Sequence, residues 1–459
     1  MPEIEPTNSP IITSYLERTP ASRRLAEQAR TVFPSGIVHD SRHMGPYPVY
    51  VERASGARKW DVDGNEYIDF YGGHGSLLLG HAHPAMTEAV AKQATLGTHP
   101  AACHELELEW GTLVQKLVPS AERVRFTSSG TEANLMAIRL ARAATGKNKL
   151  VRFRGHFHGW QDHVAFGVQS HFDGTPTPGV LDGIAENVII APPDDIARTE
   201  EILTGDNDIA AVILEPTGAS SGKIPLSREF VEKLRDITTN AGIILIFDEV
   251  VTGFRLSPGG LQSLWGIRPD MTALAKILAG GLPGGAITGR RDILDHLDFE
   301  AAEKQGFEKI GHQGTFNANP LSAAAGVAML ERVAETDACE CAASAGEALR
   351  RGWNSVFSDM GIPWAAYGMK SNTYLFTNPD GLEINPLAFD PADHPMHIFT
   401  KSSGHSATDK LRIALMLNGV DLSGKMGALT SAAHTEGDIN DSVQAMRDAL
   451  IMVQAEGDL

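Results

Sequence analysis

Ile243-Ile244-Leu245-Ile246-Phe247-Asp248-Glu249-Val250 passes from unbroken apolar residues straight into two carboxylates, and Lys276 comes 28 residues after Asp248. Ile243 to Phe247 are β-branched, aliphatic or aromatic, and Ala241-Gly242 bounds them upstream. They read as a strand buried on both faces. Such a strand ends in adjacent carboxylates where something at its C-terminal edge takes up the charge, because an unpaired buried carboxylate is costly. In open α/β sheets ligands collect at that edge. Lys276 stands among Leu274, Ala275, Ile277 and Leu278. A lysine desolvated in that way loses proton affinity and becomes a usable amine nucleophile.

The rest of the chain sets bounds on this reading. Its 459 residues are 42% hydrophobic and 21% charged, the balance of a globular enzyme of two or three domains. A formal charge of -18 argues against nucleic acid as a partner. No apolar run approaches the roughly 18 residues of a membrane span. Met1-Pro2-Glu3-Ile4-Glu5-Pro6 is acidic and polar and lacks an apolar signal core. The three cysteines make no disulfide framework, and Cys339-Glu340-Cys341 is too tightly spaced for a zinc pair. These features predict a cytoplasmic protein without a metal.

Around the opening stretch, strands and helices alternate from about residue 84 to 330. Helices are predicted over Pro84–Leu96, Glu105–Val118, Glu132–Ala144, Ser227–Asn240 and Pro320–Ala334. Strands are predicted at Val124–Phe126, Leu150–Phe153, Val188–Ile190, Ala211–Leu214 and Ile243–Phe247. That alternation marks a mostly parallel sheet with covering helices. Residues 1 to about 30 read as a helical arm with Tyr15, Leu16 and Leu25 as docking points. Val49–Phe70 reads as an antiparallel meander with turns at Ser55-Gly56 and Asp63-Gly64. The remainder reads as α+β, with Asn378–Pro395 a surface loop.

Three further stretches lie just past the ends of predicted strands. Ser129-Gly130-Thr131, ahead of a helix, is built like a phosphate cradle, with free N–H groups and the positive end of the helix dipole facing an anion. Thr131 as a simple helix cap is the plainer alternative. In Gly155-His156-Phe157-His158-Gly159-Trp160, Phe157 can stack on a flat ring and His158 is the histidine placed to contact it; an ordinary core aromatic is the other reading. Glu215 closes strand Ala211–Leu214, either as a hydrogen-bonding group near such a ring or in a salt bridge. An acid for a ring nitrogen, an amine for an aldehyde and a cradle for a phosphate together point to pyridoxal 5'-phosphate. Asp248 is the ring-nitrogen acid. Lys276 is the amine that holds the aldehyde and then serves as base at the substrate's Cα.

Ser129-Gly130-Thr131-Glu132-Ala133, Phe157-His158-Gly159, Glu215-Pro216, Asp248-Glu249-Val250-Val251-Thr252-Gly253-Phe254-Arg255, Lys276 and Gly314-Thr315-Phe316-Asn317-Ala318-Asn319-Pro320 come in the order and at the spacing of one family. The chain resembles the class III, fold-type I, pyridoxal-phosphate-dependent aminotransferases from about residue 30 to its end. Within the class, Trp60–Asn65, Gly80–Pro84 and Ala433-His434-Thr435 are similar to the glutamate-1-semialdehyde aminomutase subgroup. Phe70–Pro84, His156–Asp162, Ser170–Gly174 and His312–Thr315 resemble D-phenylglycine aminotransferase. The resemblance implies an α/β fold. A large domain over 71–330 would hold the cofactor on a mixed, mostly parallel seven-stranded sheet. Residues 331–459 would form a small α+β domain, joined by the arm and meander of 1–70. It also implies that Gly130 and Thr131 hold the phosphate, that Val250 packs under the ring opposite Phe157, and that Thr315 reaches the phosphate of a neighbouring subunit in a homodimer.

The same resemblance implies the substrate residues. Arg42 matches an arginine that binds a substrate carboxylate in the aminomutase subgroup; a solvated loop arginine is the alternative. His74 sits where an aromatic lines that subgroup's substrate pocket. Lys425 stands where D-phenylglycine and β-phenylalanine aminotransferases have an arginine, and keeps the charge without the bidentate fork. Ring stacking in the family is usually by tyrosine, so Phe157 keeps the π face and loses the hydroxyl. The aminomutases place a glutamate where this chain has Met426. The implied activity is ping-pong transfer of an amino group between an amino acid of aromatic, D or β type and a 2-oxo acid. A 2,1-aminomutase and an amine:2-oxo acid ω-transaminase are the alternatives. A dinucleotide oxidoreductase would need Gly-x-Gly-x-x-Gly after an early strand, whereas Gly280–Gly285 comes after the lysine.

Overall fold

The structure is a computed structural model and describes residues 7–193, 195–401, 407–424 and 426–459. It divides into two compact units. One comprises the chain up to His74, Leu78–His83 and Glu340–Leu459; the other comprises Gly75–Leu77 and Pro84–Cys339.

The second unit is built on a seven-stranded sheet. Its spatial order is Arg123–Thr127, Gly285–Gly289, Met271–Ala275, Ile244–Asp248, Ile209–Leu214, Lys149–Phe153 and Val188–Ala191. All neighbours are parallel except Gly285–Gly289, which runs antiparallel to both strands beside it. The central strands are buried along their whole length, and so carry continuous apolar side chains rather than an alternating pattern. Helix Gly130–Thr145 covers one face, where Met136, Ile138 and Leu140 join Leu150, Ile213 and Ile246 in a common core.

Five of these strands lie where the sequence predicts them, to within two residues. Met271–Ala275 and Gly285–Gly289 are additions. Their sequences, Met-Thr-Ala-Leu-Ala and Gly-Ala-Ile-Thr-Gly, are too poor in β-branched residues to stand out. Helix Pro84–Leu96 has its predicted bounds. Helix Gly130–Thr145 starts two residues early, because Ser129 rather than Thr131 is its cap and accepts the Glu132 N–H at 3.2 Å.

The first unit carries two small sheets. Val51–Ser55, Arg58–Asp61 and Glu66–Asp69 form the meander, extended by Val420–Asp421 in parallel; Ala365–Tyr367, Asn372–Phe376 and Gly427–Leu429 form the other. The N-terminal arm folds as helices Pro10–Arg18 and Pro20–Ala29. Tyr15 is buried and donates its hydroxyl to the Tyr47 carbonyl at 2.8 Å. Half-buried Leu16 packs against the apolar core of the unit as predicted, together with the buried Ile11 and Ala26, and Leu25 is half-buried. Met1–Pro6 lies outside the described residues. Among the described residues no helix is long and apolar enough to cross a membrane.

Two polar groups anchor this unit. Lys59 is buried between Asp69 at 2.8 Å and Asp421 at 2.7 Å. Asp69 in turn meets His81 Nε2 at 2.6 Å and accepts the Tyr71 N–H at 3.0 Å. His434 stacks on Phe70 with centroids 4.7 Å apart, and its Nδ1 accepts the Ser431 N–H at 3.0 Å. Burial pushes the His434 imidazole down to about 4. It therefore stays neutral in the fold while an unfolded histidine gains a proton near pH 6.5. Between those two values the unfolded chain holds more protons, so stability is lost as pH falls through the window. The total is on the order of 3 kcal/mol. Thermal midpoints measured from about pH 7 to about pH 4 should fall steeply in the wild type and less steeply in H434Q; parallel slopes would remove His434 from the account.

Candidate active site

The parallel strands all deliver their C-terminal ends to one edge of the sheet. Five of these ends lead into a stretch that the sequence marks for chemistry: Ser129–Thr131 after Arg123–Thr127, Phe157–His158 after Lys149–Phe153, Glu215 after Ile209–Leu214, Asp248 ending its own strand, and Lys276 after Met271–Ala275. Ala273 pairs with Asp248, so Lys276 stands three residues beyond it, about 10 Å along the strand direction at roughly 3.3 Å per residue.

Close contacts draw these segments together. A Cβ on Gly130 would come within 2.8 Å of Val250 Cγ2 and 3.4 Å of Ala275 Cβ, so only glycine lets the helix start lie against both strand ends. A Cβ on Gly159, whose φ is +100°, would lie 2.5 Å from Thr131 Oγ1. The Phe157–Gly159 loop is thereby seated on the first turn of helix Gly130–Thr145. Asn134, one turn further along that helix, donates to the His158 carbonyl at 3.2 Å.

Asp248 is 6% exposed, and its three hydrogen-bond donors are all neutral. Oδ2 accepts from Asn134 Nδ2 and His158 Nδ1, each at 2.8 Å, and Oδ1 accepts the Val250 N–H at 3.1 Å. Burial holds the His158 imidazole below its usual range despite the carboxylate beside it. The ring is thus a neutral Nδ1–H donor whose job is to orient Asp248. Asn134 shares that job, and sequence reading missed it; its place directly after the Ser129–Ala133 motif was the available signal.

The neighbouring acids behave differently. Glu249 is buried and accepts the Leu261 N–H at 2.6 Å, the Gln262 side-chain amide at 3.1 Å and the Thr252 hydroxyl at 3.0 Å. It fastens the first turn of helix Gly260–Trp265, so only one of the two adjacent carboxylates meets the expectation. Glu215 is held by backbone rather than by a salt bridge. Its Oε1 accepts the Phe157 N–H at 2.8 Å and the Ser220 N–H at 3.1 Å, and its Oε2 accepts the Ser221 N–H at 2.7 Å. Burial, reinforced by the Asp248 charge and opposed by those N–H donors, pushes Glu215 up to about 7. His156 is buried, and its Nδ1 accepts the Glu215 N–H at 3.0 Å.

Lys276 is half-buried rather than buried, although Ala275, Ile277 and Leu278 around it are enclosed. Its φ is +55°, a conformation non-glycine residues seldom adopt outside strained functional positions. Phe157 is 53% exposed, Val250 is half-buried, and Trp160 is 81% exposed and lines no core. Thr315 is exposed on the turn before helix Pro320–Glu335 and takes no part in the hydrogen bonds that build this edge. Arg42 and His74 belong to the other unit. Arg42 is exposed at the end of the turn Asp40–Arg42, and His74 Nε2 lies 3.0 Å from Ser41 Oγ. Lys425 lies outside the described residues.

The family model described as Aminotransferase class-III matches residues 40–360. The chain belongs to the class III aminotransferases. It is 36% identical to a glutamate-1-semialdehyde 2,1-aminomutase of Methanopyrus kandleri over 95% of this chain and 98% of that one. Among solved structures it is similar to a transaminase with PLP bound, at a TM-score of 0.84 and 31% identity, over 96% of this chain and 99% of that one. It is also similar to a β-phenylalanine aminotransferase from Variovorax paradoxus, at a TM-score of 0.83 and 29% identity, over 98% of each chain. The fold is that of the fold-type I transferases, the enzyme works on amino and keto substrates, and its cofactor is pyridoxal 5'-phosphate.

The residues at the sheet edge suit that cofactor. A buried carboxylate with only neutral donors wants a cation, and a protonated ring nitrogen is one. Helix Gly130–Thr145 begins against the same strand ends, where its free N–H groups suit a phosphate. Gly159→Ala should push Thr131 off its position at a cost of about 1–3 kcal/mol. Absorbance titration of the apoprotein with pyridoxal phosphate should then show affinity lowered roughly tenfold or more, against an unchanged affinity if the loop does not seat Thr131.

Proposed function

We propose that this class III enzyme is an aminotransferase that moves an amino group, by a ping-pong cycle, between an amino acid of aromatic, D or β type and a 2-oxo acid. The observation that carries the choice over a 2,1-aminomutase is Met426. It is 3% exposed and packs in the apolar core of its unit with Ala428, Leu422 and Leu375. The position at which the aminomutases have a glutamate is therefore a buried thioether that can neither titrate nor accept a strong hydrogen bond. The relative from Methanopyrus kandleri bears the aminomutase name, so this position is where the two readings part.

Asp248 holds the ring nitrogen's proton in place, with Asn134 and His158 fixing its orientation. When bound there, pyridoxal phosphate supplies an aldehyde that captures the substrate's amine and a ring that withdraws electron density from its Cα. Lys276 is the amine that secures the aldehyde between turnovers, and then moves the proton at the substrate's Cα. Ser129, Gly130 and Thr131 hold the phosphate, Phe157 and Val250 cover the two ring faces, and Glu215 stands behind Phe157. Arg42 binds the substrate carboxylate, with Lys425 as a second cation for it and His74 on the pocket wall. Ser41 supports this arrangement: its hydroxyl meets His39 Nδ1 at 2.8 Å, His74 Nε2 at 3.0 Å and the Tyr71 hydroxyl at 2.8 Å, fixing the turn on which Arg42 sits.

In a homodimer, Thr315 of each subunit completes the phosphate site of the other. Its exposure beside Phe316, itself 58% exposed, supports that reading. Thr315→Ala should weaken cofactor binding by roughly tenfold. Hybrid dimers of K276A and T315A subunits should recover one intact site, whereas a site completed within one subunit predicts no recovery.

The decisive screen mixes the cofactor-loaded enzyme with single amines and amino acids of both hands and monitors the bound chromophore. Aromatic D- or β-amino acids should react, and Asp248→Asn should slow that half-reaction by about a hundredfold or more. Turnover of carboxylate-free amines alone, or of glutamate-1-semialdehyde, would overturn the reading. Borohydride reduction and peptide mapping should place the reduced adduct on Lys276.

A further inference from the structure

Glu215 stands at the sheet edge beside Asp248, and both of its carboxylate oxygens accept from backbone N–H groups. The segment after Pro216 runs through Gly218, Ser220, Ser221 and Gly222 at φ of +102°, +53°, +61° and +101°. That succession of left-handed residues turns consecutive N–H groups inward, as in the nests that bind anions. The anion in this nest is the protein's own: Ser220 and Ser221 give their N–H groups to Glu215, and the third donor is the N–H of Phe157 from a different loop. One carboxylate thus ties the Phe157 backbone to the 218–222 turn.

We propose that Glu215 is a positioning residue: it sets the ring of Phe157 at the cofactor by holding the Phe157 N–H, and losing its charge frees both the ring and the turn. The proposal rests on the reading that Phe157 covers a face of the cofactor, and it removes Glu215 from direct cofactor contact. Protonation at Oε2 sets an O–H against the Ser221 N–H and leaves Oε1, which serves Phe157 and Ser220 together, an uncharged and weaker acceptor. The charge is sensitive because of what faces it. Asp248 raises its proton affinity. Arg152, buried on the adjacent strand, feels the carboxylate as a counter-charge. His156 and His158 are both held neutral by burial, and Lys223 closes the turn. Because burial has already brought Glu215 to about 7, the grip is full in alkaline solution and is lost as pH falls.

Hydrogen–deuterium exchange of the holoenzyme tests this on peptides covering 155–160 and 217–223. At about pH 8, E215Q should exchange roughly tenfold faster than the wild type, and the difference should close by about pH 5.5 as the wild-type carboxyl takes its proton. A difference of equal size at both pH values would mean a merely structural brace and would overturn the proposal, as would no difference at all. Should E215Q not fold, infrared difference spectra of the wild type across the same range must show a buried carboxyl gaining its proton, and their silence counts against it. Cofactor release on dialysis at about pH 8 supplies the second arm: E215Q should release faster than the wild type but add nothing in an F157A background, whereas additive losses place Glu215's action elsewhere. Wild type that borohydride does not label at Lys276 refutes the site itself, while labelled Lys276 with an inert E215Q refutes this inference alone.

Discussion

A buried negative charge held only by neutral donors organises the cofactor-binding unit. Asp248 is enclosed on a strand whose other residues are all apolar, and an amide, a neutral imidazole and a backbone N–H are its partners. Those donors lower the cost of ionisation without cancelling the charge. The fold therefore carries a deficit at one defined point, which the cationic ring nitrogen proposed to bind there would offset. The register of the sheet then sets Lys276 relative to Asp248. Lys276 comes after the strand that pairs with Asp248's own, three residues beyond the paired position. Neither residue can drift relative to the other, because both strands are buried and a slip of one residue would turn each side chain to the opposite face.

Strained backbone occurs, as elsewhere in the chain, where residues leave that rigid frame. Lys276 at φ +55° and Ser220 and Ser221 at +53° and +61° are all non-glycine residues in left-handed backbone, within a few residues of strand ends. Each such residue costs on the order of 1 kcal/mol or more. The packed strands and helices on either side supply enough burial to hold them there. The gain is direction: a lysine in extended backbone would continue along its strand, and an extended Ser220–Ser221 could not turn both N–H groups onto one carboxylate.

The large-scale plan was legible because buried parallel strands advertise themselves as apolar runs ending in turn residues. Ile209–Leu214 and Ile244–Asp248 are of that kind. Met271–Ala275 was not, since its buried positions carry threonine and alanine beside only two large apolar residues, Met271 and Leu274. In the site, residues whose type is itself the chemistry were readable: the acid at a strand end, the isolated lysine, the small residues at a helix start. Roles made by backbone were not. Nothing in Glu215-Pro216 announces a carboxylate that collects three N–H groups, and nothing separates Asp248 from Glu249 except the direction each faces once the strand has formed. Side-chain identity was visible in sequence, whereas hydrogen-bond partnership across loops depends on φ values that only the fold supplies.

That contrast bears on how one scaffold supports several reactions. Over nearly its whole length the chain is similar both to a protein named for 2,1-aminomutation and to one named for β-phenylalanine transamination. The residues assigned to the cofactor, Thr315 excepted, sit at or just past strand ends of one sheet, where each is fixed by burial, register or a shared hydrogen bond. Changing any of them disturbs its neighbours. Of the residues proposed for the substrate, Arg42 and His74 belong to the other unit and sit on short turns. Turns of that kind change sequence without repacking a core. Met426 shows the consequence from the other side: once its position joins an apolar core, an acid can return only by paying for a buried charge. The constraint on Asp248 and Lys276 thus bears on the proposed cofactor site alone, and it does not reach the residues proposed for the substrate.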